Sequence, residues 1–171
     1  MADQPLRVGA RDCSLMDAEA WIHVYFDEDA NRTKAATKGG KPFAYPAYDR
    51  LVTGSGPDEL NDGDLLAPLL LNAPLTITAV YSLQAVCRTL ERGLAAVPPD
   101  LTLEVAVTEG RHRPLLEDLI GVLDIPGAVP GVQLTTLTKV LHRKRPLFVP
   151  LFDKRVKAHY YGQKPEPRST V

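Results

Sequence analysis

Apolar positions recur at helical spacing along most of this chain, and breakers divide the pattern into segments. The first begins after Ser14, whose hydroxyl is placed to cap a helix with Asp17 three residues on. Leu15, Ala18, Ile22 and Phe26 follow at that spacing, joined by Trp21 and Tyr25, and the acidic run Asp27–Asp29 is expected at the helix exit. Residues 30–60 hold Gly39-Gly40, Lys41-Pro42, Tyr45-Pro46 and Gly54–Pro57, and predict a long irregular loop. A loop of that length is expected to be functional or mobile, with Phe43, Tyr45 and Tyr48 packing part of it down.

Asn61 or Asp62 is placed to cap a short helix through Asp64, Leu65 and Leu66 towards Leu71, with Pro68 tolerated in its early turns. A longer helix is predicted over 75–97, with Ile77, Val80, Tyr81, Leu83, Val86, Cys87, Leu90 and Leu94 in one broad stripe and Pro98-Pro99 ending it. Residues 101–107 alternate like a strand but have no partner strand, so a helix or an extended connector is expected. Further helices are expected over 114–123 and 132–143. A turn-rich link separates them, Arg145-Pro146 breaks the second, and Leu147–Leu151 is an apolar crossing. Asp153 then opens a last helix to Tyr160.

The pattern predicts an all-α, mainly helical fold: a single helical domain over 1–161 and a polar, disordered tail over 162–171. A chain of 171 residues with 44% hydrophobic and 24% charged residues buries a core without staples. The two cysteines, Cys13 and Cys87, form neither a disulfide framework nor a metal site. His23, His112, His142 and His159 show no metal-ligand spacing, and neither a metal nor another cofactor is expected. No signal peptide and no membrane-spanning run is evident, so a cytoplasmic protein is expected.

Charge changes this picture. Residues 1–138 carry 11 basic against 19 acidic residues, whereas 139–157 carry seven basic residues and one acid, Asp153. Lys139, Arg143, Lys144, Arg145, Lys154, Arg155 and Lys157 make a patch that either faces an anion or docks on the chain's own acids. The run His142–Arg145 reads equally as a solvated helix end whose cations complement the dipole, or as arginines paired with Asp153, Asp62 or Asp64. Ser55, in Thr53-Gly54-Ser55-Gly56-Pro57, lacks the strand and helix that a nucleophile elbow needs.

The stretch Val149-Pro150-Leu151-Phe152-Asp153-Lys154-Arg155-Val156, preceded by Pro130-Gly131-Val132-Gln133, resembles the end of the catalytic core of helix-hairpin-helix DNA glycosylases. That resemblance covers roughly thirty residues. It implies a glycosylase-like helical fold, with Asp153 in the place of the catalytic aspartate and Lys139 near that of the Schiff-base lysine. The second glycine of the hairpin signature is missing, the spacing from Lys139 to Asp153 is short, and the four-cysteine cluster of some members is absent. A second resemblance rests on Tyr48-Asp49-Arg50, Asp64-Leu65-Leu66-Ala67, Leu69-Leu70, Lys139-Val140-Leu141, Arg143-Lys144-Arg145-Pro146, Pro150 and Asp153. These are similar to an uncharacterised bacterial family, chiefly of actinomycetes, and that likeness implies a helical fold and no particular chemistry.

Three functions follow as expectations. The first is nucleic-acid binding, with Arg143, Lys144, Arg145, Lys154, Arg155 and Lys157 available to phosphates and Asp153 and Lys139 as candidate catalytic residues; five phosphate contacts give a salt slope of about −4 to −5. The second is a small-molecule enzyme or binding protein in which Arg143 and Arg145 hold a phosphate or carboxylate. The third is a structural or partner-binding domain whose basic residues are satisfied by internal carboxylates.

Overall fold

The computed structural model describes residues 5–8, 11–38 and 40–161, leaving out the side chains of Leu6, Val8, Arg11 and Arg155. The tail expected at 162–171 lies outside the described residues. The fold is all-α apart from one antiparallel ribbon, β1 (Pro5–Val8) with β2 (Arg11–Ser14), in which Leu6 pairs with Cys13. The helices are α1 (Leu15–Phe26), α2 (Glu28–Lys38), α3 (Tyr45–Asp49), α4 (Asp62–Leu66), α5 (Ile77–Ala96), α6 (Leu103–Thr108), α7 (His112–Ile120), α8 (Leu134–His142) and α9 (Lys154–Tyr160). By their internal contacts the described residues form two units. One holds those up to Ala47 together with those from Asp153, and the other is Tyr48–Phe152.

The caps explain where the elements begin. Ser14 accepts from Asp17 N, Thr76 from Ala79 N and Thr102 from Val105 N, each filling an amide that a first helical turn leaves free. Asn61 and Asp64 form a reciprocal capping box that starts α4. Residues 103–108 are therefore helical, and their strand-like alternation is overridden by the Thr102 cap. The segment 67–71 winds as a 3₁₀ turn and ends at Asn72 in the left-handed region.

The loop expected over 30–60 needs correction, since α2 and α3 occupy much of it. Asp27 ends α1, its amide donating to His23 O, and its carboxylate accepts from Ala30 N at 2.7 Å to start α2. Glu28 and Asp29 in the first turn and Lys38 in the last complement the helix dipole. Polar composition hid this helix, because Asn31 is the one side chain it buries. The Asn31 amide accepts from Phe43 N and donates to Phe43 O, folding the following segment back on α2. Residues 50–61 do remain irregular.

The unit Tyr48–Phe152 has a conventional core. Leu83, Leu90 and Leu94 of α5, Leu119 of α7, and Leu137, Val140 and Leu141 of α8 are fully buried together with Leu65, Phe148 and Val149. Of the stripe read from the sequence, Leu83, Leu90 and Leu94 pack into this core, whereas Ile77 and Tyr81 at the start of α5 are exposed. Gly93 lets α5 and α7 approach closely, since a Cβ there would lie 3.0 Å from Asp118 O. Gly131, at φ +79°, makes the turn that delivers the chain into α8.

Candidate functional site

Arg143, Lys144 and Arg145 follow the last turn of α8, and all three side chains point inward, 9%, 8% and 1% exposed. The solvated helix end is thus corrected. The reason is the irregular strand of chain over 50–61, which passes beside α8 with its carbonyls turned towards these cations. Arg143 donates to Tyr48 O and Leu51 O, and its guanidinium carbon lies 5.4 Å from the Tyr48 ring centroid. Its Nε is 3.7 Å from Asp64 Oδ1 and is a buried nitrogen with no hydrogen-bond partner among the described residues.

Lys144 Nζ donates to Ser55 Oγ at 2.7 Å and Gly56 O at 3.1 Å, and lies 3.3 Å from Asp64 Oδ2. Asp64 is fully buried. It accepts from the Thr53 and Ser55 hydroxyls and from Asn61 N. Burial pushes its carboxyl up, but the Ser55, Asn61 and Thr53 hydrogen bonds and the Lys144 charge outweigh that and hold it below the usual carboxylate range. Such a group is a weak base. Ser55 faces a stabilised carboxylate and a charged ammonium, an arrangement that locks a loop rather than activating a nucleophile.

Arg145 does a different job. It donates to Val97 O, on the cap residue that follows α5, to Leu94 O, which also accepts from Val97 N, to Pro57 O at 3.0 Å and to Lys144 O at 2.8 Å, and it pairs with Asp58. A cation on the C-terminal carbonyls of a twenty-residue helix complements the dipole and adds a donor to acceptors buried in the core.

The remaining candidates are scattered. Lys139 is buried on α8, its Nζ donating to Leu71 O at 3.2 Å, while its carbonyl accepts from the Tyr48 hydroxyl. His142, next in the buried face, bonds Val149 O through Nδ1 at 2.7 Å and lies against the Tyr48 ring. Burial lowers its pKa, against the opposing effects of Val149 O and Asp49. Asp153 begins the other unit's C-terminal portion, where Oδ1 accepts from Val156 N at 2.9 Å and caps α9. Lys154 and Lys157 are exposed on α9. Among the described residues no group of His, Cys, Asp and Glu forms a metal-binding cluster.

Asp64 was visible in the sequence as one candidate partner for the arginines. Tyr48 was legible only as an aromatic that packs part of the loop down, and Asp58, Thr53 and Ser55 carried no signal as partners of the basic run. Tyr48, Ser55 and Asp58 meet Lys139, Lys144 and Arg145 across 91, 89 and 87 positions of chain, which spacing does not encode, and Thr53 joins them through Asp64, 11 positions on.

This geometry defines a helical protein whose basic segment fastens a loop to a helix end. The chain belongs to a family of unknown function, DUF6308, whose model matches residues 18–170. No curated protein and no solved structure matches the chain. No helix among the described residues is long and apolar enough to cross a membrane.

Proposed function

We propose that this protein is a partner-binding helical domain in which Arg143, Lys144 and Arg145 are structural. The observation that carries the reading is the internal engagement of all three cations by Asp64, Asp58 and backbone carbonyls. A phosphate recruiting them would have to break those contacts and leave Asp64 buried without its counter-charge, at a cost of several kcal/mol. Exposed apolar side chains supply the surface for a partner. Met16, Trp21 and Ile22 stand out on α1, and Leu69, Leu70, Ile77 and Tyr81 in the other unit. By this reading Asp153 is a helix cap and Lys139 a tie between α8 and the 3₁₀ turn.

Nucleic-acid binding is the second reading, favoured by exposed Lys154 and Lys157 three residues apart on α9. The test is a titration of fluorescent duplex DNA across a range of salt. Two lysine contacts give a slope of about −2, and the partner-binding reading expects no binding even at low salt. Binding with a slope of about −2, or of about −4 to −5 if further cations engage, would replace it with the nucleic-acid reading. Base release from damaged duplex that disappears in Asp153→Asn would establish the glycosylase-like activity instead.

A further inference from the structure

α1 is apolar on both sides. Leu15, Ile22 and Phe26 lie along one face, while Ala20, Trp21 and Val24 lie along the other, yet the helix buries no residue completely. The first face has a neighbour, an aromatic cluster in which Phe26 sits 4.6 Å from Tyr45 and Tyr25 sits 5.2 Å from Phe43, centroid to centroid. The second lines an open groove of about 550 Å³ between α1 and α2. A helix with apolar residues on two opposite faces is normally covered on both, and a helix this short draws its stability from such cover.

The groove's charge says what fits it. Its α1 wall is Ala20, Trp21 and Val24. Its α2 wall brings Ala30 and two cations, Lys34 and Lys38. Lys34 Nζ lies over the Phe43 ring at 4.0 Å and the Trp21 ring at 4.9 Å, which fixes its position in the wall. The complementary surface is apolar with an acid one turn away. α1 carries that combination, for Asp17 precedes Ala20 by three residues and Trp21 by four and so shares the groove-facing side. α1 contains acids and no Lys or Arg, whereas α2 beyond its first turn contains Arg32, Lys34 and Lys38 and no acid.

We propose that two copies of this chain pair through the α1–α2 hairpin, α1 of each seated in the groove of the other with Asp17 facing the partner copy's α2 lysines. The inference rests on the partner-binding reading above and names the partner. Each acid-to-base match occurs twice about the two-fold axis, and two hairpins so joined make a four-helix arrangement.

Sedimentation equilibrium of the full chain tests it. A dimer is expected at about 100 μM or below. Trp21, 62% exposed in the single chain, tolerates replacement in the monomer, so Trp21→Glu is expected to keep the native helical circular dichroism and become monomeric. Asp17→Lys and Lys38→Glu, both at exposed positions, are each expected to weaken association about tenfold, and the double variant to recover it to within about threefold. A native chain that stays monomeric, a Trp21→Glu chain that dimerises normally, or a double variant no tighter than its parents would each overturn the proposal. The same holds if a monomer takes up an amphiphilic acid such as dodecanoate with Trp21 quenching, which makes the groove a ligand site. Failure of the partner-binding reading is read separately, from the DNA salt slope.

Discussion

Arg145 Nη2 lies 2.6 Å from the carbonyl oxygen of Leu94, joining the end of α8 to the end of α5 across 51 positions of sequence. The same guanidinium holds Val97 O, Pro57 O and Asp58. Arg145→Ala removes the donor that the Val97 and Pro57 carbonyls share, takes the second donor from Leu94 O, and opens a cavity in the core. It is expected to destabilise the protein by about 3–5 kcal/mol in urea unfolding. Arg145→Lys, with one ammonium in place of a planar fork, is expected to recover less than half of that. A loss below about 1 kcal/mol for the alanine variant would show that Arg145 does not hold this junction.

Asp64 and Lys144 form one unit with Ser55 and Arg143. Asp64→Asn strands a buried ammonium, and Lys144→Met removes a counter-charge from a buried carboxylate, so each is expected to cost about 2–4 kcal/mol. The double variant is expected to cost less than the two together, with a coupling of about 1–3 kcal/mol from a double-mutant cycle. Additive effects would mean that the 3.3 Å pair contributes nothing of its own.

Stability is expected to fall in two steps on acidification. Burial depresses His142, so below the unfolded histidine value of about 6.5 the unfolded chain gains a proton that the folded one resists, and stability drops until the folded pKa is reached. Asp64 is also depressed. Its contribution is complete above the unfolded value of about 3.9 and is lost as pH falls through the folded one. Thermal unfolding measured from pH 8 to pH 3 reads both. His142→Gln should remove the upper step and leave the lower, and an unchanged upper step would assign it to another group.

As the cap of α9, Asp153 is replaceable by asparagine, which accepts the same hydrogen bond from Val156 N. Asp153→Asn is expected to change stability by a few tenths of a kcal/mol, and Asp153→Ala to lower it by about 1 kcal/mol. Tyr25 offers an independent readout. Burial and then the Asp153 charge raise its pKa, so Asp153→Asn should bring the Tyr25 titration down in an ultraviolet pH titration. A Tyr25 that titrates unchanged would show that the carboxylate does not face it.

Gly93 separates local preference from packing. Alanine favours an isolated helix by about 1 kcal/mol over glycine. Here its Cβ meets Asp118 O at 3.0 Å and Leu119 Cδ2 at 3.1 Å. Gly93→Ala is expected to destabilise by about 1–3 kcal/mol, measured by urea midpoint, and stabilisation would mean that α7 moves away freely.

The sequence by itself determined most of the helices, because a helix is announced by features a few residues apart. Ser14, Asn61 and Asp153 mark starts, and the stripe through Leu83, Leu90 and Leu94 marks the buried face of α5. α2 escaped because its first turn looks like the polar end of α1 and its body has no apolar stripe. Only the tertiary structure decided what Arg143, Lys144 and Arg145 do. A basic run reads the same whether water or buried carbonyls surround it. The groups that neutralise this one, Asp58, Asp64, Leu94 O and Val97 O, lie 48 to 87 positions away and come together only when the core between α5 and α8 closes.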